Sequence, residues 1–171
     1  IIVRRVSGKN NLLIVVYDED KFYTNDNLMH AVLWDDETVK LQNPGKEFNV
    51  ESMYSKFLLT YVAGILSSKL ISYLFKKMIA TGTLQGTYSG VYPQDLRKLP
   101  IKIASNEQQQ KMSTLIKKIT SLNKNLNQID AKTEERISIK NEIKETDNDI
   151  DQLVYSLYGI TEEEKNIIES I

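Results

Sequence analysis

A chain of 171 residues with 41% hydrophobic and 26% charged side chains is able to bury one real core, which excludes a disordered polymer. It has no cysteine, which excludes disulfides and thiolate metal sites and fits a reducing cytosol. The net charge of −1 conceals a division: residues 1–50 sum to −2, residues 51–129 to +8 and residues 130–171 to −7. The cationic middle is either a nucleic-acid face or a lysine-rich solvated helix surface.

No run approaches ~18 uninterrupted apolar residues, so none reads as a membrane span, and no basic-apolar-small series reads as a signal peptide. The chain opens on Ile1-Ile2-Val3 without an initiator Met, which suggests a start inside a longer protein. The first third carries sheet signals. Ile1-Ile2-Val3 and Leu12 to Tyr17 are β-branched runs separated by Ser7-Gly8-Lys9-Asn10-Asn11, whose Gly and Asn tolerate the positive φ of a tight turn. Asp18-Glu19-Asp20 reads as a turn, Phe22-Tyr23-Thr24 and Leu28 to Trp34 as strands, and Asn43-Pro44-Gly45 as a closing loop.

From Ser52 to Ala80 the apolar period becomes helical, through Phe57, Tyr61, Ile65, Leu70, Leu74 and Met78, with Gly82 at the stop position. So broad a stripe predicts a helix packed deep against the sheet. Residues 82–94 read as a loop, and Leu96 to Ile103 as a returning strand. Ser105 with Gln108 forms a capping-box start, after which Met112, Leu115, Ile116, Ile119, Leu122, Leu126 and Ile129 step by threes and fours. After a polar break at Asp130-Ala131-Lys132, a second seam runs through Ile139, Ile143, Thr146, Ile150, Leu153 and Leu157. Gly159 ends that helix, and Thr161 with Glu164 caps a short last one. The fold class is therefore α+β: a small, mostly antiparallel curved sheet with a packed helix over residues 1–104, then an antiparallel coiled-coil hairpin with a short C-terminal helix over residues 105–171.

Signals for catalysis are thin. His30 is the single histidine and sits in an expected strand, where a satisfied structural role outweighs metal ligation or triad chemistry. No dinucleotide or phosphate-cradle glycine motif occurs. The acidic groups Asp18-Glu19-Asp20 and Asp35-Asp36-Glu37 are solvated turn acids or cation ligands, and neither has a calcium-loop spacing. The stretch from Thr81 to Pro93 is more informative. Thr83, Gln85, Thr87 and Tyr88 offer hydroxyl and amide groups able to read base edges, and Lys76, Lys77, Arg97 and Lys98 flank them with charges suited to phosphates. An ordinary loop joining a helix to a strand has the same composition.

Four segments carry a family resemblance. Ala63-Gly64-Ile65-Leu66-Ser67-Ser68-Lys69-Leu70, running into Tyr73, resembles a "GILNSKL…Y" helix. Asp95-Leu96-Arg97-Lys98-Leu99-Pro100-Ile101 resembles "DLRKLPI", and Glu107-Gln108-Gln109-Gln110-Lys111-Met112 resembles an "EQ-x-K-I" helix start. The tail from Ile150 to Glu164 resembles "IDxLVYxLYGLTxEE". In that order they resemble the TaqI-like C-terminal specificity domain of restriction-modification methyltransferases, akin to the recognition domains of type I specificity subunits, and the likeness runs nearly end to end. It implies a cytoplasmic, non-catalytic target-recognition module for double-stranded DNA. The module would be joined to a methyltransferase domain that uses S-adenosylmethionine to methylate adenine, with or without nuclease activity. The family's Asn/Asp-Pro-Pro-Tyr/Phe tetrapeptide is not in this chain, since Asn43-Pro44-Gly45-Lys46 shares only two letters, so neither a cofactor site nor a catalytic residue is carried over. A coiled-coil module that binds another protein and never touches DNA is the alternative reading.

Overall fold

The computed structural model describes residues 1–8, 12–20, 24–32, 57–79, 83–84, 88–130 and 133–170. Its architecture is α+β: a small three-stranded antiparallel sheet followed by helices, two of which form a long, hairpin-like packed pair. Strand β1 (Ile2–Arg4) lies at the centre of the sheet, with β2 (Val15–Val16) and β3 (Leu28–His30) antiparallel on either side. Val3 stands opposite both Val15 and Met29, and Val3 and Met29 point into the core. The two-residue period thus sets which face of the sheet is buried. Among the described residues β3 ends at His30, short of the run expected to reach Trp34, and Thr24 is not in a strand. Phe22, Tyr23, the Asp35-Asp36-Glu37 group and the Asn43-Pro44-Gly45 loop lie outside the described residues.

Within the described residues 57–79, the single helix expected from Ser52 to Ala80 is instead two, α1 (Leu59–Ser67) and α2 (Lys69–Leu74), continued by a π-helical turn over Phe75–Ile79, while residues 52–56, Ala80 and the expected stop at Gly82 lie outside the described residues. Ser68 makes the break. Its extended backbone (ψ 154°) lets its hydroxyl accept from the Ile71 N–H while donating to the Ile65 carbonyl at 2.7 Å, so one side chain finishes one helix and starts the next. The break is reinforced from a distance, because Asp151 accepts the first N–H of α2, that of Lys69, at 2.8 Å. A carboxylate at a helix N-terminus satisfies an orphan donor and meets the positive end of the helix dipole.

Strands β4 (Thr83–Leu84) and β5 (Tyr88–Ser89) form a second, two-stranded antiparallel sheet where a loop was expected. Helix α3 (Pro93–Leu96) follows, with Pro93 in its first turn, where the missing N–H costs nothing. The returning strand expected from Leu96 to Ile103 does not form. Leu96 ends α3 and the chain crosses to residue 105 without ladder pairing, as Pro100 lacks an N–H to donate. The segment is held instead by tyrosines: the Tyr158 hydroxyl donates to the Pro100 carbonyl at 2.7 Å and accepts from the Lys102 N–H, and Tyr61 donates to the Lys102 carbonyl.

The long pair is α4 (Asn106–Leu126) and α5 (Glu134–Tyr158). Both predicted capping boxes are present, Ser105 with Gln108 at α4 and Thr161 with Glu164 at α6 (Glu162–Glu169). Gly159 ends α5 at φ 71°, a left-handed conformation that a side chain would strain. The seam residues Met112, Ile116, Ile150 and Leu157 are buried, as is Thr146, whose hydroxyl is satisfied by the Glu142 carbonyl. At the turn between the helices, Arg136 donates to the Leu126 and Ile129 carbonyls, closing the C-terminal end of α4. α4 also packs along α1, and α2 packs on α5 and α6. One core therefore runs from Val3 and Met29 through Tyr61, Ile65 and Phe75 to Met112, Val154 and Ile168.

Candidate nucleic-acid interface

The four segments that carry the resemblance meet at one junction. Gly64 of α1 faces Met112 of α4 so closely that a Cβ there would overlap its side chain. Gln109 is 4% exposed and bridges two elements: its Oε1 accepts the Leu58 N–H at the start of α1, and its Nε2 donates to the Ala104 carbonyl. Lys69 of α2 sets its ammonium 3.2 Å from Asp151 of α5 and 3.8 Å from Glu169 of α6. Burial is the largest influence on Asp151 and raises its pKa, while Lys69 draws it back down. Burial likewise pushes Tyr61 up to about 12, keeping its hydroxyl protonated as a donor. These motif residues are joinery, tying the sheet and its helices to the long pair.

The candidate contact residues lie beyond that junction. Lys76 and Lys77 occupy the π-helical turn after α2, where a cation suits the negative end of the helix dipole. Lys77 is exposed and lies 5.9 Å from the centre of the Tyr73 ring, within cation–π range. Thr83 pairs with Ser89 across the hairpin and Tyr88 with Leu84, while Gln85 and Thr87 fall outside the described residues. Arg97 is exposed at the end of α3. Lys98 is also exposed, but its ammonium sits 3.1 Å from Asp95, so a phosphate would have to compete with that carboxylate.

Sequence reasoning missed Arg4 and Arg5. The hairpin's exit strand returns to the first strand of the protein, since Gly90 bridges Val6 and the Val91 N–H donates to the Arg5 carbonyl at 2.9 Å. Two exposed arginines at the end of β1 are thereby brought beside the base of the hairpin. An Arg pair closing an apolar run was visible in the sequence, but its position depends on pairing between residues more than eighty apart.

Compared with models of known families, with curated proteins and with solved structures, the chain matches none.

His30 and the Asp18-Glu19-Asp20 turn are engaged by other side chains and backbone groups. His30 lies in β3 with its Nε2 3.2 Å from the Thr24 hydroxyl. Asp18 accepts the Asp20 N–H, and Asp20 pairs with Lys124 at 2.7 Å, which holds its carboxyl below the usual range. Among the described residues, no group of three or more His, Asp or Glu side chains could hold a metal ion, and no helix is long and apolar enough to cross a membrane.

Proposed function

We propose that this chain is the target-recognition module of a restriction-modification enzyme that methylates adenine, and that it presents the Thr83–Ser89 hairpin to duplex DNA. The observation that carries this reading is the arrangement around the hairpin. Arg4 and Arg5 reach its base through backbone pairing, Lys76 and Lys77 lead into it, and Arg97 follows it. The sequence supplies Thr83, Gln85, Thr87 and Tyr88 in this stretch, hydroxyl and amide groups of the kind that read base edges, and the cations before and after it would hold phosphates and fix the register. The motif order along the chain supports the same reading. S-adenosylmethionine belongs to the methyltransferase part of such an enzyme, and no residue of this chain is assigned to it. A second reading, a protein-binding module, is favoured by the net charge of −7 over residues 130–171 and by Ile137 and Ile167, which are 61% and 56% exposed.

Fluorescence anisotropy with a pool of random duplexes tests the proposal. Binding at low salt is expected, weakening linearly on a log–log plot of affinity against salt. Reversing charge at Arg5 and Lys77 together should flatten that slope by about two units, roughly 0.9 for each phosphate no longer neutralised. No binding at low salt, combined with self-association, would favour the protein-binding reading.

A further inference from the structure

One aromatic ring at the proposed interface lies outside the hydrophobic core. Tyr92 is 47% exposed, whereas Val91 before it is 0% exposed and gives its N–H to the Arg5 carbonyl at 2.9 Å. Successive side chains of an extended chain leave on opposite faces, so Val91 anchors the segment inward and Tyr92 stands on its outer face. The backbone of Tyr92 is also held from the other side. Its carbonyl accepts from the Asp95 and Leu96 N–H groups at 2.9 and 3.2 Å, which makes it the residue that starts α3.

The ring is aimed as well as anchored. A Cβ built on Gly90 would lie 3.0 Å from both Cε2 and the hydroxyl oxygen of Tyr92. The side chain therefore leans back along the chain over Gly90, the residue that follows β5, and points from α3 toward the base of the hairpin. Only a glycine leaves room for the ring tip there, and the exposed remainder of the ring is open to a partner. Two torsions fix a tyrosine ring, so a contact on it costs little side-chain entropy.

We infer, resting on the reading of this face as a DNA surface, that Tyr92 is its non-ionic contact and packs its ring on a deoxyribose of the strand whose phosphates Arg5 and Arg97 hold. Arg5 is tied to this segment by the hydrogen bond to Val91, and Arg97 ends the helix that Tyr92 starts, so the ring lies along the chain between two exposed cations. Phosphates are joined through sugars, and a duplex stacks its base faces against one another. The sugar is thus the apolar surface left for a ring placed beside phosphate-holding arginines.

The contact is tested on the whole chain by titrating the random duplex pool over a range of salt concentrations. Tyr92→Ala should weaken binding about tenfold, the effect of no longer withdrawing roughly 55 Å² of apolar surface from water. The loss should be the same at every salt concentration, because no charge is removed. Tyr92→Phe keeps the ring and should bind like the parent. Gly90→Ala is an independent lever: its methyl group displaces the ring tip and should weaken binding by less than Tyr92→Ala, with the salt slope again unchanged. Thermal melts of Tyr92→Ala should stay close to the parent's, since the ring is exposed. If the parent chain binds no duplex at low salt, the DNA reading falls and this contact with it. If the parent binds and Tyr92→Ala binds as tightly, or Tyr92→Phe loses as much as Tyr92→Ala, the contact alone is overturned.

Discussion

Replacing Gly64 by alanine sets two effects of opposite sign against each other. Gly64 lies inside α1, where alanine stabilises an isolated helix by about 1 kcal/mol relative to glycine. Here, however, the new Cβ would fall 2.5 Å from Met112 Cγ and still closer to its Sδ, and Met112 is 0% exposed, so its side chain must repack within the core to make room. Overpacking of this kind costs about 1–3 kcal/mol, and an overlap this deep belongs at the upper end. The clash should win by about 1–2 kcal/mol, lowering the melting temperature by about 2–8 °C for a domain of this size. The same close approach dictates what happens when its partner is cut back. Met112→Ala alone removes a fully buried side chain and should cost about 2–5 kcal/mol. In that background the methyl group added at position 64 enters vacated space and keeps its helix advantage, so Gly64→Ala should become stabilising. Urea denaturation of the four variants, followed by far-UV circular dichroism, measures the cycle. If Gly64→Ala stabilises the native chain as well, helix propensity governs the site and the close-approach reasoning fails.

Asp151→Ala should cost about 2–3 kcal/mol, because the Lys69 N–H and ammonium are both deprived of a charged acceptor, while Asp151→Asn, which retains an acceptor, should cost less than half of that. Equal urea midpoints for the two variants would refute the capping role. Asp147 supplies a pH test: its folded pKa is raised from 3.8 to about 6, so the folded state binds the proton more readily and stability falls as pH rises from about 4 through about 6. Thermal melts of Asp147→Asn should therefore show a flatter profile over that window and a slightly higher melting temperature at pH 7; a profile parallel to that of the parent would contradict the shift. Gly159→Ala should cost about 1–2 kcal/mol through backbone strain alone, because its φ is 71° and no atom lies within 4 Å of the added Cβ. Asn at the same position, which tolerates the left-handed region, should recover part of that loss in the same melts.

The features legible in the amino-acid order were the local ones. Ser105 with Gln108, Thr161 with Glu164 and the stop at Gly159 each act within one helical turn, so their spacing was sufficient to place the helix ends. The seam through Met112, Ile116, Ile150 and Leu157 was equally legible, because a 3-4 repeat has one common face. The break at Ser68 was not, since it is held partly by Asp151, eighty-two residues beyond the Lys69 N–H that it caps. Leu99 and Ile101 alternate like a strand around Pro100, but Tyr61 and Tyr158 take up the polar groups of that segment in place of a neighbouring strand. For the candidate interface, Lys76, Lys77 and Arg97 were visible as neighbours in sequence. Arg4 and Arg5 became visible only through the bridge from Val6 to Gly90.

The unbroken core has a practical corollary for anyone dissecting this molecule. A chain ended at residue 104 would leave Tyr61, Ala63 and Ile65 without the α4 surface that shelters them, and one begun at residue 105 would bare Met112 and Ile116 in turn. Neither half is an exchangeable cassette. Moving either half into another scaffold would require moving both together.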